Sequence, residues 1–164
     1  MNRIPIKLAD GIFTALFSAT GLSQLTFPPD QGTPKPDEPI IPAPTPKLQR
    51  WVQLTEHALR DVLTGKTPGE IPPLDLSVGT PFQQKVWAAL QRIPSGQTRT
   101  YSRLAESIGR DKSARAVGSA CGANPVPVLV PCHRVVAQGH RLGGFSAGLD
   151  WKRRLLAREG VSLT

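Results

Sequence analysis

Residues 124–136 have the sequence NPVPVLVPCHRVV, an apolar stretch interrupted by prolines that leads into one Cys-His-Arg triplet. The apolar run over residues 126–130 predicts a buried strand, and Cys132 follows its end. A side chain at the end of a buried strand is held rigidly and can still face a pocket. The stretch therefore predicts a core strand with a reactive thiol behind it.

The neighbours of Cys132 distinguish it from an inert thiol. A cysteine is nucleophilic only as the thiolate, and an adjacent base or cation lowers the pKa of the thiol. His133 and Arg134 provide both, whereas a buried structural cysteine would need neither. Cys121 fits the structural class better, because it falls on the inner face of a predicted helix.

Two helices are predicted in the middle of the chain. One apolar face runs from Leu48 to Val62 and stops before Gly65, which is typical of an amphipathic helix. A second helix is predicted to begin at Thr80, because proline follows at the first helical position and glutamine stands three residues after the threonine.

Two shorter helices are predicted next, with the proportions of a helix-turn-helix. Thr100 can cap a helix over residues 101–108, and Asp111 can cap one over residues 112–121. The outer face of the second helix carries Arg115, Gly118, Ser119 and Gly122 at helical spacing. Small residues permit close approach to a DNA groove, but they also permit tight helix packing inside a protein, so both interpretations stay open here.

The positive charge of the chain is concentrated in its second half. The net charge is +8, but residues 1–80 contain seven Lys/Arg and eight Asp/Glu, whereas residues 81–164 contain thirteen and four. A localised basic excess indicates a surface for a polyanion. The second half of the chain is therefore the part predicted to bind a polyanion.

The N-terminal part predicts β structure. Residues 12–17 and 22–27 are rich in β-forming residues around a Gly-containing turn, which predicts a hairpin. The same apolar region could pass for a short export signal, but Asp10 and the lack of a cleavage site argue against one. Two separated cysteines in a chain without a convincing export signal indicate reduced thiols in the cytoplasm. Because the apolar run is too short to span a bilayer, we expect no attachment to a membrane.

A proline-rich stretch suggests the domain boundary. Prolines alternate with polar residues over residues 28–46, which predicts an extended linker. We therefore expect an α/β protein with a β-containing N-terminal domain of residues 1–78, which includes the linker, and an α-rich DNA-binding domain of residues 79–164.

Residues 124–136 also closely resemble the signature of the O6-alkylguanine-DNA alkyltransferases, or methylated-DNA–protein-cysteine methyltransferases. Residues 114–118, 148–149 and 159–160 agree with that family in order and spacing. The resemblance covers about residues 79–160 and, more loosely, the N-terminal hairpin. It implies a small RNase H-like β-sheet domain followed by an α-rich, winged helix-turn-helix-like DNA-binding domain.

The resemblance implies DNA repair by single-turnover transfer of the alkyl group of O6-alkylguanine to Cys132, with no cofactor. His133 would act as general base through a water, and Glu159 would hold its imidazole. Tyr101 would donate its hydroxyl proton to N3 of the departing base, and Asn124 would fix the turn before the reactive residue. Whether O4-alkylthymine is a substrate, and which adduct size is preferred, stay open.

The resemblance also implies how the damaged base is bound. The backbones of Cys132, Val135 and Ser146 would contact the flipped guanine, and Phe145 would stand in the pocket wall where many members have tyrosine. The implied contacts with the minor groove of double-stranded DNA are Arg115, Gly118, Ser119 and Arg134. Arg115 would enter the base stack in place of the flipped base. The protein would act as a monomer able to assemble cooperatively on DNA.

Three other interpretations compete with alkyl transfer. Lesion-sensing relatives that only bind DNA carry tryptophan in place of Cys132. A Cys/His hydrolase fits poorly, because the side chains of Cys132 and His133 would point apart in an extended segment. A metal site from Cys121, Cys132, His133 and His140 would lack a Cys-x-x-Cys pair, so no metal is expected.

Overall fold

The computed structural model describes residues 1–29 and 43–163. The first part of the chain forms an antiparallel sheet in the order β1-β2-β3. Its strands are β1 (Asn2–Leu8), β2 (Gly11–Phe17) and β3 (Leu22–Thr26). The predicted hairpin is therefore confirmed as β2 and β3, which pair in antiparallel register.

Strand β1 is an element that the sequence analysis does not predict. Its outward positions carry Arg3, Pro5 and Lys7, whereas Ile6 is buried. This alternation is typical of an edge strand, where a proline without an N–H group is tolerated. The basic residues that resemble the start of an export signal belong to the solvent-facing side of this strand.

The remaining described residues form five α-helices and one short pair of parallel strands. The helices are α1 (Pro46–Leu63), α2 (Pro81–Leu90), α3 (Tyr101–Ser107), α4 (Ala114–Gly122) and α5 (Leu149–Arg158), and the paired strands are β4 (Arg99–Thr100) and β5 (Val135–Val136). Helix α1 contacts β1 and α5, while α2, α3 and α4 pack on one another. This is the predicted α/β arrangement, with a small sheet followed by an α-rich part.

Side-chain caps account for two helix starts. The Thr80 hydroxyl accepts a hydrogen bond from the N–H of Gln83 at 3.2 Å, and the Gln83 side chain accepts one from the N–H of Thr80 at 2.9 Å. The Thr100 hydroxyl accepts a 3.1 Å bond from the third residue after it. These hydrogen bonds confirm both predicted starts. The starts could be predicted because each signal is contained in four consecutive residues.

The predicted cap of α4 by Asp111 is wrong. Ser113 occupies the N-cap position without a side-chain hydrogen bond, and its N–H donates to the carbonyl of Arg110 at 2.9 Å. The residues from 110 to 113 thus close a separate turn ahead of the helix. Helix α4 begins only at Ala114.

One continuous hydrophobic core joins the sheet to the C-terminal helices. Phe13 of β2 and Trp151 of α5 are both buried, and their ring centroids lie 5.8 Å apart. At the surface, Asp10 between β1 and β2 accepts hydrogen bonds from Arg154 at 2.8 Å and from Arg158 at 2.6 Å. The N-terminal sheet is therefore fixed to α5 by both apolar and ionic contacts.

The predicted boundary between residues 78 and 79 stays a prediction. Most of the proposed linker over residues 28–46 lies outside the described residues. Within the two described ranges, no helix has the length and apolar character needed to cross a membrane.

Candidate active site

Cys132 is 5% exposed and lines an open cavity of about 640 Å³. The cavity lies between the start of α3, the outer face of α4 and the loop before α5. It brings Cys132 together with six of the predicted site residues, Tyr101, Arg115, Gly118, Ser119, Phe145 and Ser146. Residues that are far apart in the chain thus meet around the predicted nucleophile.

The segment ahead of Cys132 is not the predicted strand. Residues 126–130 form a turn closed by a 2.9 Å backbone hydrogen bond between the first and last of them, and a single 3-10 turn, Cys132–Arg134, follows. Three prolines within residues 125–131 explain the difference, because they lack the N–H groups that a strand ladder requires. The extended geometry assumed for Cys132 and His133 is also wrong, because both residues lie in this 3-10 turn.

Asn124 holds this turn in shape from a buried position. Its Nδ2 donates to the carbonyl of Val130 at 2.7 Å, and its Oδ1 accepts from the N–H of Val126 at 3.0 Å. Inside the turn, Val128 has φ of +75°, which is unfavourable for a β-branched residue. The N–H of Cys132 donates to the same carbonyl of Val130 at 2.8 Å, so the amide and the reactive residue share an anchor.

His133 is fully buried beside the reactive residue. Its Nε2 lies 2.9 Å from Oε1 of Glu159, which stands at the C-terminal end of α5. Because a carboxylate only accepts, Nε2 carries the ring proton and Nδ1 presents a lone pair. Nδ1 is buried and has no hydrogen-bond partner in the part of the chain that the structure describes. The imidazole is therefore arranged as a base that a carboxylate orients.

Arg134 is buried in the same cluster and does not lie on the outer face of α4. Its guanidinium donates to Glu159 at 2.7 and 3.0 Å, and its Nη1 donates to the carbonyl of Ile93 at 2.7 Å. This placement argues against the predicted DNA contact through Arg134. It also directs the cation to the carboxylate of Glu159, away from its predicted role beside the thiol.

Burial dominates the acid–base properties of this cluster. It raises the pKa of the Cys132 thiol and lowers the pKa of His133. Burial also favours the neutral acid of Glu159, but hydrogen bonds from His133 and Arg134 outweigh it and lower the pKa of this carboxyl to about 2. At neutral pH the resting state is thus a thiol, a neutral imidazole and a carboxylate, so a base is needed at the moment of reaction.

Lys152 is a site residue that the sequence analysis does not identify. Its side chain is fully buried, and Nζ donates to the carbonyls of Val135 at 2.6 Å and Gly144 at 3.0 Å. Burial lowers its pKa to about 8, although the nearby thiols act in the opposite direction. Leu155 and Leu156 lie three and four positions later on the buried face of α5. A lysine on an apolar helix face was the signal that could have revealed it.

The other predicted substrate residues occupy different positions around the cavity. Tyr101 is half-buried, and burial raises the pKa of its phenol. Ser146 lines the cavity, whereas Val135 is fully buried and faces Lys152 through its carbonyl. Tyr101 and Ser146 therefore line the cavity, whereas Val135 does not, and its carbonyl is bonded to Lys152.

The second cysteine, Cys121, lines the same cavity. It is 7% exposed, and burial raises the pKa of its thiol to about 12. A thiol with so high a pKa is a much weaker nucleophile than one served by a base.

No group of three or more His, Cys, Asp or Glu side chains suited to a metal ion occurs within residues 1–29 and 43–163.

We expect the protein to lose stability as the pH falls below about 6.5. Folding lowers the pKa of His133 from its ordinary value of 6.5, so below this pH the unfolded chain binds a proton that the folded chain excludes. Glu159, lowered from 4.5 to about 2, adds a loss of the same sign at lower pH. Urea midpoints measured at several pH values between 8 and 4 test this, and a midpoint that stays constant over the range would contradict it.

Comparison with known proteins adds to this geometry. The family model for the 6-O-methylguanine DNA methyltransferase DNA binding domain matches residues 81–161. A methylated-DNA–protein-cysteine methyltransferase of Methanosarcina acetivorans is 47% identical over 116 residues, which make up 67% of this chain and 74% of that protein. One of Salmonella typhimurium is 51% identical over 85 residues, or 52% of this chain and 50% of that protein. The matched part thus spans between half and three quarters of these relatives.

Solved structures match over a longer part of the chain. The crystal structure of Mycobacterium tuberculosis OGT in complex with DNA has a TM-score of 0.78 at 34% identity and covers 98% of this chain and 93% of that chain. The O6-methylguanine-DNA methyltransferase of Pyrococcus kodakaraensis has a TM-score of 0.66 at 28% identity, with 97% and 98% covered. Both matches extend over the N-terminal sheet, so the predicted fold class is confirmed.

Proposed function

Because the chain belongs to the methylated-DNA–protein-cysteine methyltransferase family, we propose that it repairs DNA by moving the alkyl group from O6 of guanine to Sγ of Cys132. The carbon–oxygen bond to the base breaks as the carbon–sulfur bond forms. The thioether is not hydrolysed, so each molecule acts once and needs no cofactor. The observation that carries this proposal is the position of Cys132, which lines an open cavity beside a buried His133–Glu159 pair.

Two proton transfers accompany the displacement. Nδ1 of His133 takes the thiol proton through a water molecule, and Glu159 stabilises the imidazolium that forms. Tyr101 gives its hydroxyl proton to N3 of the departing guanine. Two features support these roles, namely the unpartnered buried Nδ1 of His133 and the position of Tyr101, which lines the same cavity as Cys132.

The flipped guanine is held by backbone groups of Cys132, Val135 and Ser146, with Phe145 against the alkyl group. The first and last of these residues line the cavity together with Phe145. The volume of about 640 Å³ is in the range of ligand pockets. An extruded base is required because the reacting carbon is inaccessible inside a duplex.

Helix α4 lies in the minor groove of double-stranded DNA, and Arg115 fills the space that the extruded base leaves. Arg115 and Ser119 are exposed at the edge of the cavity. Gly118 between them adds no side chain to the helix surface, so another surface can approach the backbone closely. The basic excess of residues 81–164 supports a polyanionic partner. The protein acts as a monomer that can assemble cooperatively on DNA, and it acts in the cytoplasm, where a reactive thiol stays reduced.

Mass spectrometry after mixing with a duplex that contains one O6-methylguanine tests the proposal. We expect one added methyl group, with fragmentation of the tryptic peptide 116–134 placing it on Cys132. This peptide contains both cysteines, so two variants are needed: Cys132→Ala should stay unmodified, and Cys121→Ala should carry the methyl on Cys132. A protein that binds the lesion and remains unmodified would instead be a DNA-binding module without transfer chemistry.

A further inference from the structure

One wall of the cavity beside Cys132 has no support from regular secondary structure. Residues 142–148 form neither helix nor strand, and Gly143 and Gly148 in this loop have φ of +70° and +98°. Backbone rich in glycine is conformationally permissive. Hydrogen bonds from Lys152 to the carbonyl of Gly144 and from Gly148 to that of Phe145 hold the backbone of the loop, but the ring of Phe145, which lines the cavity, depends on side-chain contacts for its orientation.

The principal aromatic contact of Phe145 comes from the N-terminal part of the chain. The ring of Phe27 lies 5.7 Å from that of Phe145, centroid to centroid, with the planes inclined at 81°. Such an edge-to-face arrangement is a favourable one for two aromatic rings. Phe27 directly follows the last residue of β3, so the N-terminal sheet carries the ring that touches the cavity wall.

Phe27 is itself held from behind by two buried rings. Its centroid lies 4.9 Å from that of Trp151 and 5.4 Å from that of Phe13, which are 4% and 0% exposed. The guanidinium of Arg154 lies over the ring of Trp151, 4.0 Å from its centroid. We call Phe13, Phe27 and Trp151 the aromatic brace, because together they form a continuous support from the sheet and α5 to Phe145.

We propose that Phe27 is a positioning residue of the cavity, and that through Phe145 it makes the N-terminal sheet a determinant of which alkyl groups are transferred. The selectivity part rests on the proposed transfer to Cys132, whereas the contact between the rings does not. A benzyl group against the wall would touch the Phe145 ring over its whole face, and a methyl group would offer one carbon. Loss of support for the ring should therefore affect the larger group more.

The substitution Phe27→Leu tests the role of the aromatic brace, with Phe17→Leu as matched control. Phe17 is fully buried in the same sheet, but its ring stacks on Trp51, 6.4 Å away. We expect the ratio of single-turnover rate constants for benzyl and methyl adducts in one oligonucleotide to fall about 2- to 10-fold in Phe27→Leu, and to stay unchanged in Phe17→Leu. An unchanged ratio in Phe27→Leu, or equal falls in both variants, would overturn the proposal.

A second readout does not require transfer. In protein labelled with 4-fluorophenylalanine at position 145, the fluorine NMR signal should shift in Phe27→Leu and stay in place in Phe17→Leu. If this pattern appeared while the wild type transferred no alkyl group, the transfer proposal would fail and the positioning of Phe145 would stand. If transfer were normal and the signal did not respond to Phe27→Leu, the positioning role alone would fail.

Discussion

Replacing Glu159 with glutamine is expected to lower the free energy of unfolding by about 3–5 kcal/mol and to slow alkyl transfer at least about 100-fold. The stability loss follows from Arg134, which cannot deprotonate and is buried against this carboxylate at 2.7 Å. Without the anion, the cation stays buried and uncompensated. The expected loss is a large fraction of the total stability, since domains of this size have a free energy of unfolding of only about 5–15 kcal/mol.

The expected loss of transfer has a different cause. In the wild type the carboxylate holds Nε2 of His133 and stabilises the imidazolium that forms when the thiol proton leaves. Glutamine can still form a hydrogen bond to the ring, but it carries no charge to offset that cation. The rate should therefore fall even where the variant remains folded.

The double variant Arg134→Met/Glu159→Gln separates the two effects. It removes the buried cation together with the charge of its partner, so no uncompensated charge stays buried. We expect much of the stability to return while transfer stays slow. Urea denaturation gives the first quantity and single-turnover methyl transfer the second.

Glu106→Gln is the matched control for the charge change. Its ion pair with Arg103 is 3.3 Å long and largely exposed, so its removal should change stability by less than about 1 kcal/mol. If Glu159→Gln transferred the methyl group within a few-fold of the wild-type rate, the proposed part of the carboxylate in the reaction would be wrong.

The helices were the most predictable part of the fold because their signals are local. The hydrogen bonds that start α2 and α3 join residues no more than three positions apart. Strand β1 depends instead on a partner strand, and its alternation of basic and apolar residues is equally compatible with a leader segment. The turn over residues 126–130 could not be recognised from hydropathy, because buried turns and buried strands have the same apolar composition.

Prediction of the site was limited in a similar way. Cys132 and His133 are neighbours in sequence, and their chemistry could be inferred from that adjacency. Glu159 lies 26 residues after His133, and only the family resemblance connected them. The role of Lys152 depends on burial, since an exposed lysine at the same position would contact neither Val135 nor the loop before α5.

The substitution Asn124→Ala is expected to lower the free energy of unfolding by about 1–3 kcal/mol, because it leaves the buried N–H of Val126, 3.0 Å from the amide, without a partner. It also removes one of the two hydrogen bonds that the carbonyl of Val130 accepts, the one of 2.7 Å from the amide. Transfer should slow by about 100-fold, the cost of a displacement of roughly 1 Å at a reacting group. The displacement is expected because Cys132 is bonded to the same carbonyl.

Two further variants show whether the amide acts through position or through stability alone. Thr55→Ala removes another buried side-chain hydrogen bond, 2.7 Å to the carbonyl of Trp51 in α1, so it should cost stability and leave the transfer rate unchanged. Asn124→Asp keeps an acceptor for Val126 but cannot donate to Val130. Its charge near the sulfur would further raise the pKa of Cys132, so its rate should rise more steeply with pH than that of Asn124→Ala.

A strained residue makes the outcome for Asn124→Ala decisive. Val128 keeps φ of +75°, a conformation that costs of order 1–3 kcal/mol and persists only where the surroundings enforce it. If the amide enforces it, its removal should let the turn relax and carry Cys132 away from His133. Stability and rate would then fall together. If the rate were unchanged in a folded Asn124→Ala variant, the prolines and buried valines alone would hold the turn, and the amide would contribute only to stability.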